Sequence, residues 1–176
     1  IRSLLESMFK DYYVGAFLLW DKNKDEPLRT EPILGAFSHQ QTDPESIILD
    51  GQQRITSLYY AIQSPNVETN KIKNPVYFYI DFNSFFIPES KNQKFVTVNR
   101  RKFTDEECFK KLLFPFYELT NYEDWLYKFE EFVENMSIEN KDKLRQIRRI
   151  MQTRLNHFFD GFEIPYITLP GSMTIG

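Results

Sequence analysis

Within the 176 residues, the stretch whose residue types and spacing most directly suggest chemistry is Ile47-Ile48-Leu49-Asp50-Gly51-Gln52-Gln53-Arg54-Ile55-Thr56. An apolar run of strand character enters a glycine turn and passes straight into a helical pattern. The first turn of a helix presents backbone N–H groups without intrahelical acceptors, together with the positive end of the helix dipole, and both favour a phosphate. Gly51 permits close approach of an anion, and Gln52 and Gln53 add neutral donors. Arg54 is unexpected, because a cation in the first turn opposes the dipole at a cost of roughly 0.3–1 kcal/mol when exposed. An anion held by its bidentate fork removes that conflict. On this reading Arg54→Ala weakens anion binding and leaves stability unchanged or slightly raised. The plainer alternative makes Asp50 a helix N-cap, whose loss costs roughly 1 kcal/mol, and Arg54 a solvated side chain. Spacing alone leaves both readings open.

Other residues with chemical potential are scattered. His39 and His157 are isolated and lack the spacing of metal ligands, and His157 lies near a helix C-terminus, where a cationic ring is favoured. Asp81 followed by Glu89-Ser90-Lys91 loosely matches the acid-x-Lys pattern of metal-dependent nucleases, a triplet that also arises by chance in charged loops. The sequence has no glycine-rich Walker-type or dinucleotide fingerprint. The clearest basic cluster is Lys91, Lys94, Arg100, Arg101 and Lys102, interleaved with Phe95 and Phe103. It is read either as a contact for DNA phosphates or as the solvated surface of a hairpin. Arg145, Arg148 and Arg149 admit the same two readings, and Trp125 and Phe129 fit a core stripe better than a base-stacking platform.

The elements that must position these residues follow from periodicity. Ile1, Leu4, Leu5, Met8 and Phe9 recur at helical spacing. Gly15 ends that segment, and Ala16-Phe17-Leu18-Leu19-Trp20 reads as a buried strand. Residues 21–45 form a long polar connection broken by Pro27, Pro32 and Pro44, with 33–37 as a short ordered piece. Residues 46–49 form a second strand, and Ile55, Leu58, Ala61 and Ile62 give the helix that follows a face ending near Pro65. Residues 76–80 and 95–98 read as a hairpin. Thr104 and Glu107 are spaced as a capping box for a helix over 104–113. Amphipathic helices are predicted over 122–136 and 140–158, the second closed by Asp160-Gly161, and residues 164–169 return to strand character. The expected architecture is a mixed α/β fold. One small mixed sheet is to contain 16–20, 47–49, 76–81 and 164–168, with the last two helices packed as a lobe.

Composition sets the outer bounds. Seventeen Phe, ten Tyr and two Trp bury large areas and exclude a disordered chain. The single cysteine, Cys108, excludes an internal disulfide and a thiolate metal cage, and a reducing cytoplasmic compartment is expected. The longest apolar stretch, 14–20, is far short of the ~20 residues that span a bilayer, so no membrane association is expected. The opening residues do not resemble a signal peptide. A net charge of -3 excludes a surface that is basic throughout, while leaving room for a local basic patch.

Residues 49–58 resemble the signature of the family found in GmrSD-type, modification-dependent DNA restriction systems. There an Asp-Gly-Gln-Gln-Arg element, followed by an apolar residue and Thr, sits in a ParB/sulfiredoxin-like domain. The opening helix running through Gly15 into a strand, residues 76–81, Phe114-Pro115-Phe116 and Ile164-Pro165-Tyr166-Ile167 also fit that family. The resemblance implies a nucleotide-binding core over 1–103, a helical lobe over 104–160 and a returning strand in 161–176. It implies a nucleoside triphosphate bound by Asp50, Gly51, Gln52, Gln53, Arg54 and Thr56, and its Mg²⁺-assisted hydrolysis coupled to cleavage of modified DNA in defence against phage. Asp50 and Arg54 are the implied catalytic pair. Arg54 would stabilise phosphate oxygens and Asp50 would orient a metal-bound or attacking water, while Gln52 and Gln53 hold phosphates or that water. Implied partners are DNA, through Lys94, Arg100, Arg101 and Lys102, and an HNH-type nuclease domain or subunit. No metal site made by the protein alone is expected. Family members also carry Tyr-Gln-Arg-x-Tyr-x-Trp before the first helix and Phe-x-x-x-Asn-x-x-Gly after the last strand. Neither lies in this sequence, so the chain is expected to be a fragment whose own catalytic competence is open. The rival expectation is a module of the same fold that binds DNA or a nuclease partner without hydrolysis.

Overall fold

A computed structural model describes residues 1–21, 30–33, 44–63, 76–86, 93–136 and 141–172. In chain order the described elements are α1 (Arg2–Phe9), β1 (Phe17–Asp21), β2 (Ser46–Asp50), α2 (Gln52–Gln63), β3 (Tyr77–Asp81), β4 (Val96–Asn99), α3 (Asp105–Lys111), β5 (Leu113–Pro115), α4 (Tyr122–Glu134), α5 (Lys141–Asn156) and β6 (Tyr166–Leu169). Short 3₁₀ turns follow β3 and β5, and a π-type turn, His157–Gly161, follows α5. The fold is mixed α/β, as the alternation of periods predicts.

The strands form two sheets instead of the single one expected, with orders β2-β1-β6 and β4-β3-β5. The reason lies in the edges. β1 pairs antiparallel with β2 and parallel with β6, so both its sides are occupied. β3 is closed on one side by the hairpin with β4, from Tyr77↔Asn99 to Ile80↔Val96. On the other it is closed by β5, from Tyr79↔Pro115 to Asp81↔Leu113. With a strand on each side of β1 and on each side of β3, each is the central strand of its own sheet and neither pairs with the other. The strand that completes the second sheet is three residues long and ends in proline, which sits acceptably at a sheet edge and gives no periodic signal.

The second sheet is built into an aromatic core shared with the helices. Tyr79, Phe114, Trp125 and Phe129 are fully buried, and Trp125 stacks on Phe129 with ring centroids 5.9 Å apart. Phe109 of α3 meets the Trp125 ring edge-on at 5.0 Å. The basis of α3 is the capping box read in the sequence. The Thr104 hydroxyl accepts from the Glu107 amide and the Glu107 carboxylate accepts from the Thr104 amide. Leu112 ends the helix in a left-handed conformation, φ 54°. α1 adds Leu5, Met8 and Phe9 to the same core and is fastened to β4 by Glu6. The Glu6 carboxylate accepts from the Phe95 amide at 3.1 Å and from the Val96 amide at 2.7 Å. α2 joins through buried Tyr60 and Ala61, and so ties the core to the glycine turn at its own start.

Candidate functional site

The turn from β2 into α2 has the strand–glycine–helix form expected, with one change in its capping. Gly51, not Asp50, stands immediately before the helix, and its carbonyl accepts from the amides of Arg54 at 3.0 Å and Ile55 at 3.1 Å. Its φ of 99° is a conformation that side-chain-bearing residues rarely adopt, and a Cβ there would lie 2.2 Å from the Phe17 ring. Glycine is therefore required twice over. No acid lies in the first turn of α2. Among the described residues, the Gln52 and Gln53 amides meet no acceptor, which is the condition for anion binding at a helix start. The Gln52 and Gln53 side chains are exposed beside them.

Arg54 is not a solvated side chain: most of its guanidinium is tied into the fold. Its guanidinium donates to the Val14 carbonyl at 3.0 Å, to the Ala16 carbonyl at 2.8 Å and to Asp50 Oδ2 at 3.2 Å. It lies over the Phe17 ring, 5.1 Å from the centroid, and the side chain is 21% exposed. Gly15, between the two acceptor carbonyls, has φ 91°, and a Cβ there would stand 2.6 Å from Nη1. The fork thus straps the approach to β1 against the start of α2, across about forty residues of sequence. This corrects the expectation that Arg54→Ala leaves the fold unaffected, and it replaces the Asp50 cap. The Asp50 carboxylate serves Arg54, and its side chain is 73% exposed. Among the described residues three of the five guanidinium donors are engaged and two are uncommitted. The Thr56 hydroxyl donates to the Gln52 carbonyl at 2.8 Å, within the helix. Val14, Gly15, Ala16 and Phe17 belong to the site, although sequence reasoning gives them no site role. The one local signal was the glycine at position 15.

The basic cluster is divided by the fold. Lys94 precedes β4 and Arg100, Arg101 and Lys102 follow it, so the length of the strand, about 3.3 Å per residue, separates them. Lys91 lies outside the described residues. Arg101 forms a bidentate pair with Glu107, at 2.6 and 2.9 Å. That pairing, with the Thr104 amide, draws the Glu107 carboxyl down from its ordinary 4.5 to about 2. The Lys102 ammonium sits 4.2 Å from the Tyr117 ring centroid. Arg100 is exposed. On α5, Arg145 is bound to Glu134 and Arg148 to Glu130, at 2.7 and 3.2 Å.

His157 Nε2 stands 2.8 Å from Asp11 Oδ1, a tether between the turn after α5 and the end of α1. His39 and the Glu89-Ser90-Lys91 triplet lie outside the described residues. Asp81 accepts from the amide and side chain of Asn83, at 3.0 and 2.8 Å, which organises the turn after β3. Trp125 and Phe129 are core. Burial pushes the Cys108 thiol up to about 12, which makes it an inert part of the interior. Among the described residues no group of three or more His, Cys, Asp or Glu side chains is placed to hold a metal ion, and no helix is long and apolar enough to cross a membrane.

Comparison with known proteins gives two matches. The sequence model of the GmrSD restriction endonuclease N-terminal domain matches residues 1–175. An uncharacterized protein of Methanocaldococcus jannaschii is 35% identical over 100 residues, which are 54% of this chain and 17% of that protein. No solved structure matches.

Proposed function

This chain belongs to the family of GmrSD restriction endonuclease N-terminal domains, and from that premise we propose that it binds a nucleoside triphosphate at the start of α2 and hydrolyses it to license DNA cleavage by an HNH-type nuclease domain or subunit. The observation that carries this reading is the pair of open amides, Gln52 and Gln53, at a turn that only glycine can make, beside a guanidinium with donors to spare. The phosphates meet these amides and the positive end of the helix, and Gln52 and Gln53 add side-chain donors. Arg54 acts first by holding the strand and helix together, and then by charge neutralisation, which dominates phosphoryl transfer.

Mg²⁺ fits this site as an ion that arrives with the phosphates. It commonly keeps several waters and uses one or two carboxylates alongside phosphate oxygens. Asp50 is exposed and commits a single oxygen to Arg54. It is the residue that would hold a hydrated ion or orient the attacking water. When bound, Mg²⁺ supplies neutralisation of phosphate charge. The ParB/sulfiredoxin-like fold, the DNA partner and a role in defence against phage belong to the same proposal. The aligned residues span 17% of the Methanocaldococcus jannaschii relative.

The test is nucleotide binding and phosphate release by the full-length protein with Mg²⁺. Asp50→Ala is expected to lower phosphate release on the order of 10²-fold while affinity changes less. Nucleotide binding by the wild type without any phosphate release would replace this reading with that of a non-hydrolysing module. The mark of such a module is DNA binding with a steep salt dependence.

A further inference from the structure

In the first sheet Tyr166 of β6 is paired in register with Phe17 of β1. Side-by-side residues of a sheet point to the same face, and adjacent strands lie about 4.8 Å apart. Phe17 uses that face to support the site, with its ring under the Arg54 guanidinium and against Gly51. Tyr166 therefore stands one strand out from the site, on the same face, at the edge of the sheet. The residue is 67% exposed, and among the described residues its ring meets no other ring. A single exposed aromatic is ordinary. One whose register partner lies under the Arg54 guanidinium and against the glycine that starts α2 has a place in a site.

We propose that Tyr166 is the stacking platform for the base of the bound nucleotide, a role that rests on the nucleotide reading given above. The phosphates lie on the Gln52 and Gln53 amides and the base lies flat on the phenol ring. The interval of one to two strand spacings, about 5–10 Å, is bridged by the ribose. A platform of this kind reads the face of a base and not its edge. Purine and pyrimidine triphosphates are both accepted, with purines held more firmly through their larger ring. The next residue, Ile167, is 58% exposed and points to the opposite face of the same strand, which makes it an internal control.

The test compares ATP, UTP and inorganic tripolyphosphate as ligands of the full-length protein with Mg²⁺. Tyr166→Ala is expected to weaken both nucleotides about tenfold or more and to leave tripolyphosphate unchanged, because only the base is lost from the interaction. Tyr166→Trp should restore nucleotide affinity, and Ile167→Ala should leave all three ligands as in the wild type. Equal losses for nucleotides and tripolyphosphate, or equal losses in the Tyr166 and Ile167 variants, would show a general disturbance of the strand and overturn the proposal. Full nucleotide affinity in Tyr166→Ala overturns it as well, with the phosphate site intact. A wild type that binds neither nucleotide nor tripolyphosphate removes the phosphate site itself, and the platform with it.

Discussion

The two sheets have the same number of strands and are held together in different ways. In the β4-β3-β5 sheet the central strand carries buried Phe78, Tyr79 and Ile80, and its neighbours add Val96 and Phe114. Aromatic rings from α3 and α4 complete that core. In the β2-β1-β6 sheet the only buried side chain is Trp20, and the outer strands expose Leu49, Tyr166 and Ile167. What holds its inner end to α2 is directional: a guanidinium between two carbonyls, two glycines in left-handed conformations and one ring beneath the charge. Burial is tolerant of detail, whereas such ties require particular atoms at particular places. The half of the molecule assigned the chemistry is thus the half in which few substitutions can be compensated by repacking.

The largest effect expected is in the aromatic half. Phe129→Ala removes a fully buried ring that stacks on Trp125 and meets Phe109, and should cost about 3–5 kcal/mol in denaturant unfolding. Any loss of nucleotide affinity should follow the unfolded fraction alone. A local loss at the α2 site in a fully folded Phe129→Ala protein would break the division between the two halves.

A smaller effect in stability, with a larger one in function, is expected from Arg54→Ala. Leaving the Val14 and Ala16 carbonyls without their donor should cost about 2–3 kcal/mol. Nucleotide binding should weaken as well, because the glycine turn loses its brace. Arg54→Lys should recover little of either, since an ammonium cannot fork to two carbonyls and a carboxylate together. An unchanged melting temperature for Arg54→Ala would mean that the strap does not hold the first sheet, and the comparison would fail on that side.

The smallest effect sharpens the comparison from within the second half. The folded carboxyl of Glu107 is held at about 2 against an ordinary 4.5, by Arg101 first and then by the Thr104 amide. A depressed carboxyl stabilises the fold fully above its unfolded value and loses that contribution as pH falls through its folded value. Melting temperature should therefore decline between these two values in the wild type, with a shallower decline in Glu107→Gln. Identical acid profiles for the two proteins would show that the capping box does not depend on the charge of Glu107.

What the sequence displayed was local. The strand, the glycine turn and the helix at 47–63, the Thr104–Glu107 box, the β3–β4 hairpin and the two long helices all rest on residues a few positions apart, where period and capping chemistry are visible. The family signature was visible for the same reason. The partners of Arg54 were not, because Val14 and Ala16 offer only their backbone carbonyls, and a carbonyl has no signature in sequence. Nor was the division into two sheets, since it depends on β5, a three-residue strand with no alternation to read. The type of Asp50 allows the cap that was one of its two readings, and the observed pairing needed knowledge of where the Arg54 fork was anchored.

The grip of Glu6 on β4 has a consequence of another kind. β4 is the outer strand of its sheet, and an uncovered outer strand is a template on which further chains can add. The two amides at its start are already taken by Glu6, and Phe9 covers the neighbouring rings of Phe85 and Phe95. α1 therefore occupies the start of the edge that an incoming strand would use. A proteolytic cut that released α1 would bare a hydrogen-bonding edge and an aromatic surface at the same moment, the two ingredients of cross-β assembly. The first helix guards the protein's colloidal life as well as its fold.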